Sequence, residues 1–178
     1  MASVPRERDE VPLRCYARGL AKWLRAAGYD ADYAREGTDV SDGALVRRAI
    51  EEGRVLLTSD RGFLERKPVR DEEVSLLVVP YQPLEDQLRL VVESFDLARL
   101  PSRCMEYNGE LETVRPQAVV ERVPPGVIRA QQKFFRCLGC DRVFWHGSHW
   151  ERIGGRLERV FGARGETKPA IQVDVLAP

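Results

Sequence analysis

Lysine is scarce in this chain: four residues (Lys22, Lys67, Lys133, Lys168) stand against 24 arginines. An excess of either charge is also missing, because 28 basic residues balance 28 acidic ones. Zero net charge argues against a generally basic nucleic-acid binder, whose affinity rests on a broad positive field. No apolar run reaches the ~20 residues that cross a bilayer. The first ten residues, from Met1 to Glu10, are charged where a secretory leader would be apolar. A cytoplasmic setting is therefore expected, in which the four cysteines read as thiols or metal ligands rather than disulfides. Repeats of solenoid length are absent as well.

The 178 residues that are there suffice for one ordinary domain and a small appendage. Their centre is Gly53-Arg54-Val55-Leu56-Leu57-Thr58-Ser59-Asp60. An apolar run entered through a glycine and left through polar residues predicts a buried parallel strand. Ligands of open α/β sheets bind at the carboxyl ends of strands, where Asp60 stands. Capping the following turn is the competing role for Asp60.

Before this strand the pattern predicts a loose tail over 1–10 and a short strand at 11–16, with Pro12 at its start. A helix over 17–27 follows on Leu20, Trp23, Leu24 and Ala27, closed by Gly28. A second strand is expected at 29–34, then a loop and N-cap at 38–42, then a helix with Leu45, Val46, Ala49 and Ile50 inward. After the central strand come a short helix at 61–66, a strand at 74–80 and an amphipathic helix from Leu84 to about Leu100. This alternation predicts a small parallel α/β sheet with helices on its faces. From Pro101 the texture changes. Asn108-Gly109 is a hairpin signal, and Cys137-Leu138-Gly139-Cys140 is half of a zinc ribbon. The aromatic segment from Phe144 to Trp150 leads into a helix ending near 161. Four parts result: a tail at 1–10, an α/β domain at 11–100, a ribbon-like β subdomain with its helix at 101–161, and a tail at 162–178.

Two constellations could carry chemistry. Asp30, Asp39, Asp42 and Asp60 lie on loops that a sheet edge could gather around Mg or Mn, activating water for phosphodiester cleavage. Asp42 doubles as a helix cap, and Asp30 as a turn residue. The second set is Cys104, Cys137 and Cys140. A structural zinc takes four ligands, and His146 or His149 is a candidate for the fourth; without one the ribbon folds metal-free. Arg18, Lys22 and Arg25 fall largely off the apolar stripe of their helix, as a solvated face or as phosphate contacts.

Four blocks then become specific: Leu20 to Asp30, Gly53 to Arg61, Arg103-Cys104 with Asn108-Gly109-Glu110-Leu111, and Phe134 to Trp150. In order and spacing they resemble the Mut-seven C-terminal RNase domain family. The resemblance implies a three-layer PIN-like nuclease domain followed by a zinc ribbon, and a metal-dependent ribonuclease. It assigns Asp42 and Asp60 as catalytic acids, Cys104, Cys137 and Cys140 as zinc ligands, and RNA as the partner. Three positions depart from the family pattern. Arg14 replaces the usual acid at the end of the first strand, Gly62 replaces a further acid after Asp60, and Tyr107 replaces the second cysteine of the first knuckle.

Three functional readings follow. The first is a ribonuclease working with a reduced acid set. The second is a degenerate nuclease that binds RNA through Arg18, Lys22, Arg25 and Arg61, with Arg136, Arg142 and His149 of the ribbon; here Arg14 would pair with Asp60 or hold a phosphate. The third is a protein-interaction module docking a partner on Phe144, Trp145 and Trp150, whose more ordinary role is to pack the ribbon on the α/β domain.

Overall fold

The computed structural model describes residues 11–15, 17–33 and 39–162. The expected tails at 1–10 and after 162 lie outside them.

Four short parallel strands form the first sheet: β1 (Leu13–Cys15), β2 (Ala31–Tyr33), β3 (Val55–Thr58) and β4 (Leu76–Val78), in the order β2-β1-β3-β4. Alternation along the strands divides their side chains between two cores. Leu13, Cys15, Ala31, Leu57 and Leu77 face one layer. There they meet Leu20, Ala21 and Leu24 of α1 (Arg18–Ala26) and Leu88, Val91 and Val92 of α4 (Leu84–Ser94). Leu56 and Leu76 face the other, against Leu45, Val46 and Ala49 of α2 (Asp42–Glu51) and Val69 of α3 (Lys67–Arg70). The result is the expected α/β/α sandwich, with β3 between two neighbours.

Helix ends follow local chemistry. Gly28 has φ 104°, and the amides of Gly28 and Tyr29 turn back to the carbonyls of Arg25 and Leu24, a Schellman closure. Its missing Cβ is also needed by the packing, since one built there would lie 2.4 Å from Leu100 Cβ. α4 stops at Ser94 rather than near Leu100. Asp96 takes the left-handed conformation (φ 50°), and the Leu97 amide bonds the Val92 carbonyl, the same closure without glycine.

The second sheet is antiparallel, β5 (Leu111–Val114), β6 (Phe134–Cys137) and β7 (Val143–Trp145) in that order, with α5 (Pro125–Ala130) inserted between the first two strands. Its own core has three buried residues, Val119, Val123 and Phe134. Asn108-Gly109 is not the turn of a strand hairpin. It closes a loop on Cys104, whose amide bonds the Gly109 carbonyl while its carbonyl accepts from Asn108. α6 (Ser148–Gly162) starts against the ribbon, where Trp150 stacks on His146, and runs on to the sandwich: Ile153, Leu157 and Val160 are buried in the α1–α4 core, and Arg159 bridges Glu85 at 3.1 Å. No described helix is long and apolar enough to cross a membrane.

Candidate functional site

Asp60 ends the segment after β3, and Asp42 opens α2, which follows β2, so both belong to the carboxyl edge of the parallel sheet. Each carboxylate is locally engaged. Asp60 Oδ1 accepts the Gly62 amide at 2.7 Å and so caps a 3-10 turn over Arg61–Glu65, the competing role named for it above. Asp42 is paired with Arg66, whose guanidinium lies 5.3 Å over the Phe63 ring. Ser41, not Asp42, is the N-cap of α2, and Asp39 bonds the Ser41 amide.

The other acids sit elsewhere. Asp30 belongs to the amino edge, where its backbone carbonyl accepts the amide of Leu13 at the start of β1. Its carboxylate is clamped by both Nη atoms of Arg54 at 3.0 and 2.9 Å, and Asn108 bonds it too. Half-burial opposes the charge of Asp30, but these donors outweigh it and hold the carboxyl below its ordinary range. Among the described residues no three carboxylates converge closely enough to share an ion. The described acidic residues do not form the three- or four-acid cradle that a Mg or Mn centre of this class needs.

Arg14 explains part of this. It sits in β1 between Leu13 and Cys15, opposite Asp32 of β2 and Leu56 of β3, and is fully buried. Alternation turns it toward α2. Its Nη2 lies 3.1 Å from Asp32 and 3.1 Å from Glu52, at the amino edge. The pairing is therefore not with Asp60, and burial keeps Arg14 from an RNA phosphate. Glu52 is desolvated, yet Arg14 and Arg54 hold its carboxyl below the usual range. Nε and Nη1 of Arg14 have no hydrogen-bond partner among the described residues. Nothing in the local sequence named Asp32 and Glu52 as its partners.

The expected phosphate cations divide. Arg25 is fully buried and donates to the carbonyls of Ala31, Met105 and Glu106, so it ties α1 to β2 and the ribbon and cannot reach an outside ligand. Arg18 and Lys22 are accessible and share Glu106. Arg61 is exposed at the carboxyl edge.

The thiolate set does come together. The sulfurs of Cys104, Cys137 and Cys140 all lie within 4.8 Å of one another, with Cys104 and Cys140 3.8 Å apart. Zn–S bonds of about 2.3 Å in a tetrahedron require sulfurs about 3.8 Å apart, so the cluster fits zinc. Amides of Tyr107 and Gly139 point at the Cys104 and Cys137 sulfurs at 3.3 and 3.4 Å, as in thiolate knuckles. Gly109 is required here, because a Cβ would meet Cys137 Sγ at 2.8 Å. Burial pushes the Cys104 thiol up to about 11 despite the Tyr107 and Glu106 amides. Cys137 is desolvated too, but the amides of Cys140 and Gly139 bring it below the ordinary thiol value. Neither histidine joins the cluster. His146 stacks between Phe135 and Trp150, ring centroids 5.0 and 5.2 Å away. Tyr107 packs over Gly139, leaving a three-cysteine set.

A four-stranded parallel sheet between helices, with Asp42 and Asp60 at its carboxyl edge and a three-cysteine ribbon after it, is the architecture expected of a PIN-like nuclease domain with a zinc ribbon. Residues 15–157 match the Mut7-C RNAse domain, and the chain belongs to that family. Curated proteins with local similarity are cysteine–tRNA ligases. The Laribacter hongkongensis ligase is 38% identical over 60 residues, 34% of this chain and 12% of the ligase. The Burkholderia thailandensis ligase is 43% identical over 46 residues, 26% of this chain and 10% of the ligase. The chain thus matches only about an eighth of the length of these relatives. No solved structure matches it.

Proposed function

We propose that this protein engages RNA as a member of the PIN-like ribonuclease class in which metal-dependent phosphodiester hydrolysis is weak or lost. The observation that carries this reading is the engagement of the two acids assigned to the carboxyl edge: Asp42 by Arg66, and Asp60 by the Gly62 amide it caps. Replacing a carboxylate with Arg14 changes the local charge by two units. The guanidinium is drawn to Asp32 and Glu52 at the amino edge, so what the carboxyl edge loses is one ligand. Asp42 and Asp60 are the assigned acids that the described residues place at the carboxyl edge, and two carboxylates make a thin ion site. The ribbon takes zinc through Cys104, Cys137 and Cys140, where the metal supplies cross-linking rather than chemistry. RNA as partner is supported by family membership and by the accessible cations Arg18, Lys22 and Arg61.

The test is incubation of purified protein with labelled single-stranded RNA and Mg or Mn, beside a binding titration at several salt concentrations. Expected are salt-sensitive binding and cleavage no faster than that of an Asp42→Asn/Asp60→Asn variant. Robust cleavage abolished by Asp60→Asn overturns the hydrolytic part. Absence of RNA binding at low salt overturns the rest.

A further inference from the structure

The three tryptophans of the chain line two hollows that share His149 and Ile153, Trp23 in the smaller and Trp145 and Trp150 in the larger. The larger is a half-open groove of about 670 Å³ between the ribbon and the start of α6, floored by Met105 and Ile153. The smaller, of about 130 Å³, continues it past His149 toward Trp23. If these aromatics served only to pack the ribbon on the sandwich, they would close the space. Protein interiors leave few voids larger than a water molecule, whereas this volume lies within the ~300–1,000 Å³ of small-ligand sites. Trp150 is also held in place, by the stack through His146 to Phe135. Locked aromatic planes are the platform on which unpaired bases stack.

The charges around the groove choose its occupant. Among the described residues lining the two hollows, Lys22, Arg103, Arg152 and Arg156 oppose one carboxylate, Glu106, which Lys22 already neutralises. Net positive charge along an aromatic trough suits a strand with a phosphate at every base. It suits neither an apolar peptide nor a duplex, whose bases are stacked on each other and unavailable.

We propose that this groove binds single-stranded RNA, with bases stacked on Trp145 and Trp150 and the backbone running along Lys22, Arg103, Arg152 and Arg156. This rests on the RNA reading above and deepens it by moving the recognition surface away from the carboxyl edge of the sheet to the ribbon.

The experiment uses the full-length zinc-loaded protein and a fluorescein-labelled eight-nucleotide oligouridylate, with its duplex as control. Anisotropy gives affinity, and an unlabelled strand gives tryptophan quenching. Expected are quenching by the single strand, single-strand affinity above duplex affinity, and a loss of roughly 5- to 100-fold in Trp150→Ala. Trp150→Phe keeps both a ring and the packing, so it should stay within a few-fold of the parent. A Trp150→Ala variant that melts early is replaced by Arg152→Gln with Arg156→Gln, which should lower the slope of log affinity against log salt by about one per residue. Salt-sensitive RNA binding with no quenching and no effect of any of these variants overturns the groove and leaves the RNA reading intact. Binding of neither strand overturns both. Quenching by a protein partner together with indifference to RNA would make the groove a protein-docking face, which also overturns the proposal.

Discussion

Replacing Arg14 with Met tests whether an internal ion network has taken the place of an acidic ligand. The Arg14 side chain is 1% exposed, while its partners Asp32 and Glu52 are 23% and 35% exposed. Removing one member of a buried pair usually costs about 3–5 kcal/mol, because the remaining charge is left desolvated. Two features reduce that here. Glu52 keeps Arg54 at 2.7 Å and Asp32 keeps Arg25 at 3.8 Å, and Arg14 itself carries two donors without a partner among the described residues, whose loss relieves desolvation. The net expectation at neutral pH is about 2–3 kcal/mol of destabilisation, roughly 5–10 °C in melting temperature. The pH dependence identifies the cause. A carboxyl whose folded-state pKa is depressed contributes stability that is present above its unfolded value, about 4, and lost as pH falls through the folded value. Glu52 is of this kind, with Arg14 among the causes. Parent and variant should therefore differ most at pH 7 and converge toward pH 3, as read by chemical denaturation across that range. An equal deficit at both ends would mean that Arg14 acts by filling space, and a variant as stable as the parent at pH 7 would remove the network from the explanation.

Purified protein should carry close to one zinc per chain by elemental analysis, and Cys104→Ser or a strong chelator should lower both zinc content and melting temperature; less than half an equivalent in fresh protein counts against the ribbon site. Zinc should also leave as pH falls, because the ligands must be thiolates. Cys15, whose thiol burial pushes up to about 12, should resist alkylation at pH 8 in the folded protein and react on unfolding. Gly28→Ala combines φ 104° with a clash against Leu100 and should cost about 2–4 kcal/mol by denaturant titration, whereas Gly126→Ala, with open space around it, should cost little.

The sandwich was legible because short-range signals and tertiary packing agree in it. Leu20, Leu24, Leu45, Leu56 and Leu57 sit where a period of 3.6 or 2 puts them, and Gly28 closes its helix as expected. The end of α4 was not legible, since Asp96 does at C′ what glycine usually does, and a non-glycine residue in the left-handed region sends no signal of its own. α6 reads as a ribbon element in the sequence because it follows the ribbon in the chain. Its apolar stripe says that one face is buried but not against which core, and Ile153, Leu157 and Val160 turn out to belong with α1 and α4. The thiolate cluster followed from spacing alone. Side-chain partners did not: Arg25, on the polar side of a helical wheel, is fully buried because the ribbon's Met105 and Glu106 carbonyls come to meet it.

That last contact bears on how far the two halves can move apart. The antiparallel sheet buries three residues of its own, too few to hold a sheet of that size without a staple. A zinc ion on the thiolate set would supply one, at the end where Cys104 meets Cys137 and Cys140. Arg25 on the Met105 and Glu106 carbonyls supplies a second, and Asn108 on Asp30 a third, both made to the α/β sandwich. At the far side α6 returns the chain to the same sandwich. The groove walls therefore come from elements fixed at both ends, and the spacing of Trp145 and Trp150 is set by the core of the α/β domain as much as by the ribbon. For the single-strand binding proposed above such rigidity is an advantage, because a preformed stacking platform loses little entropy on binding.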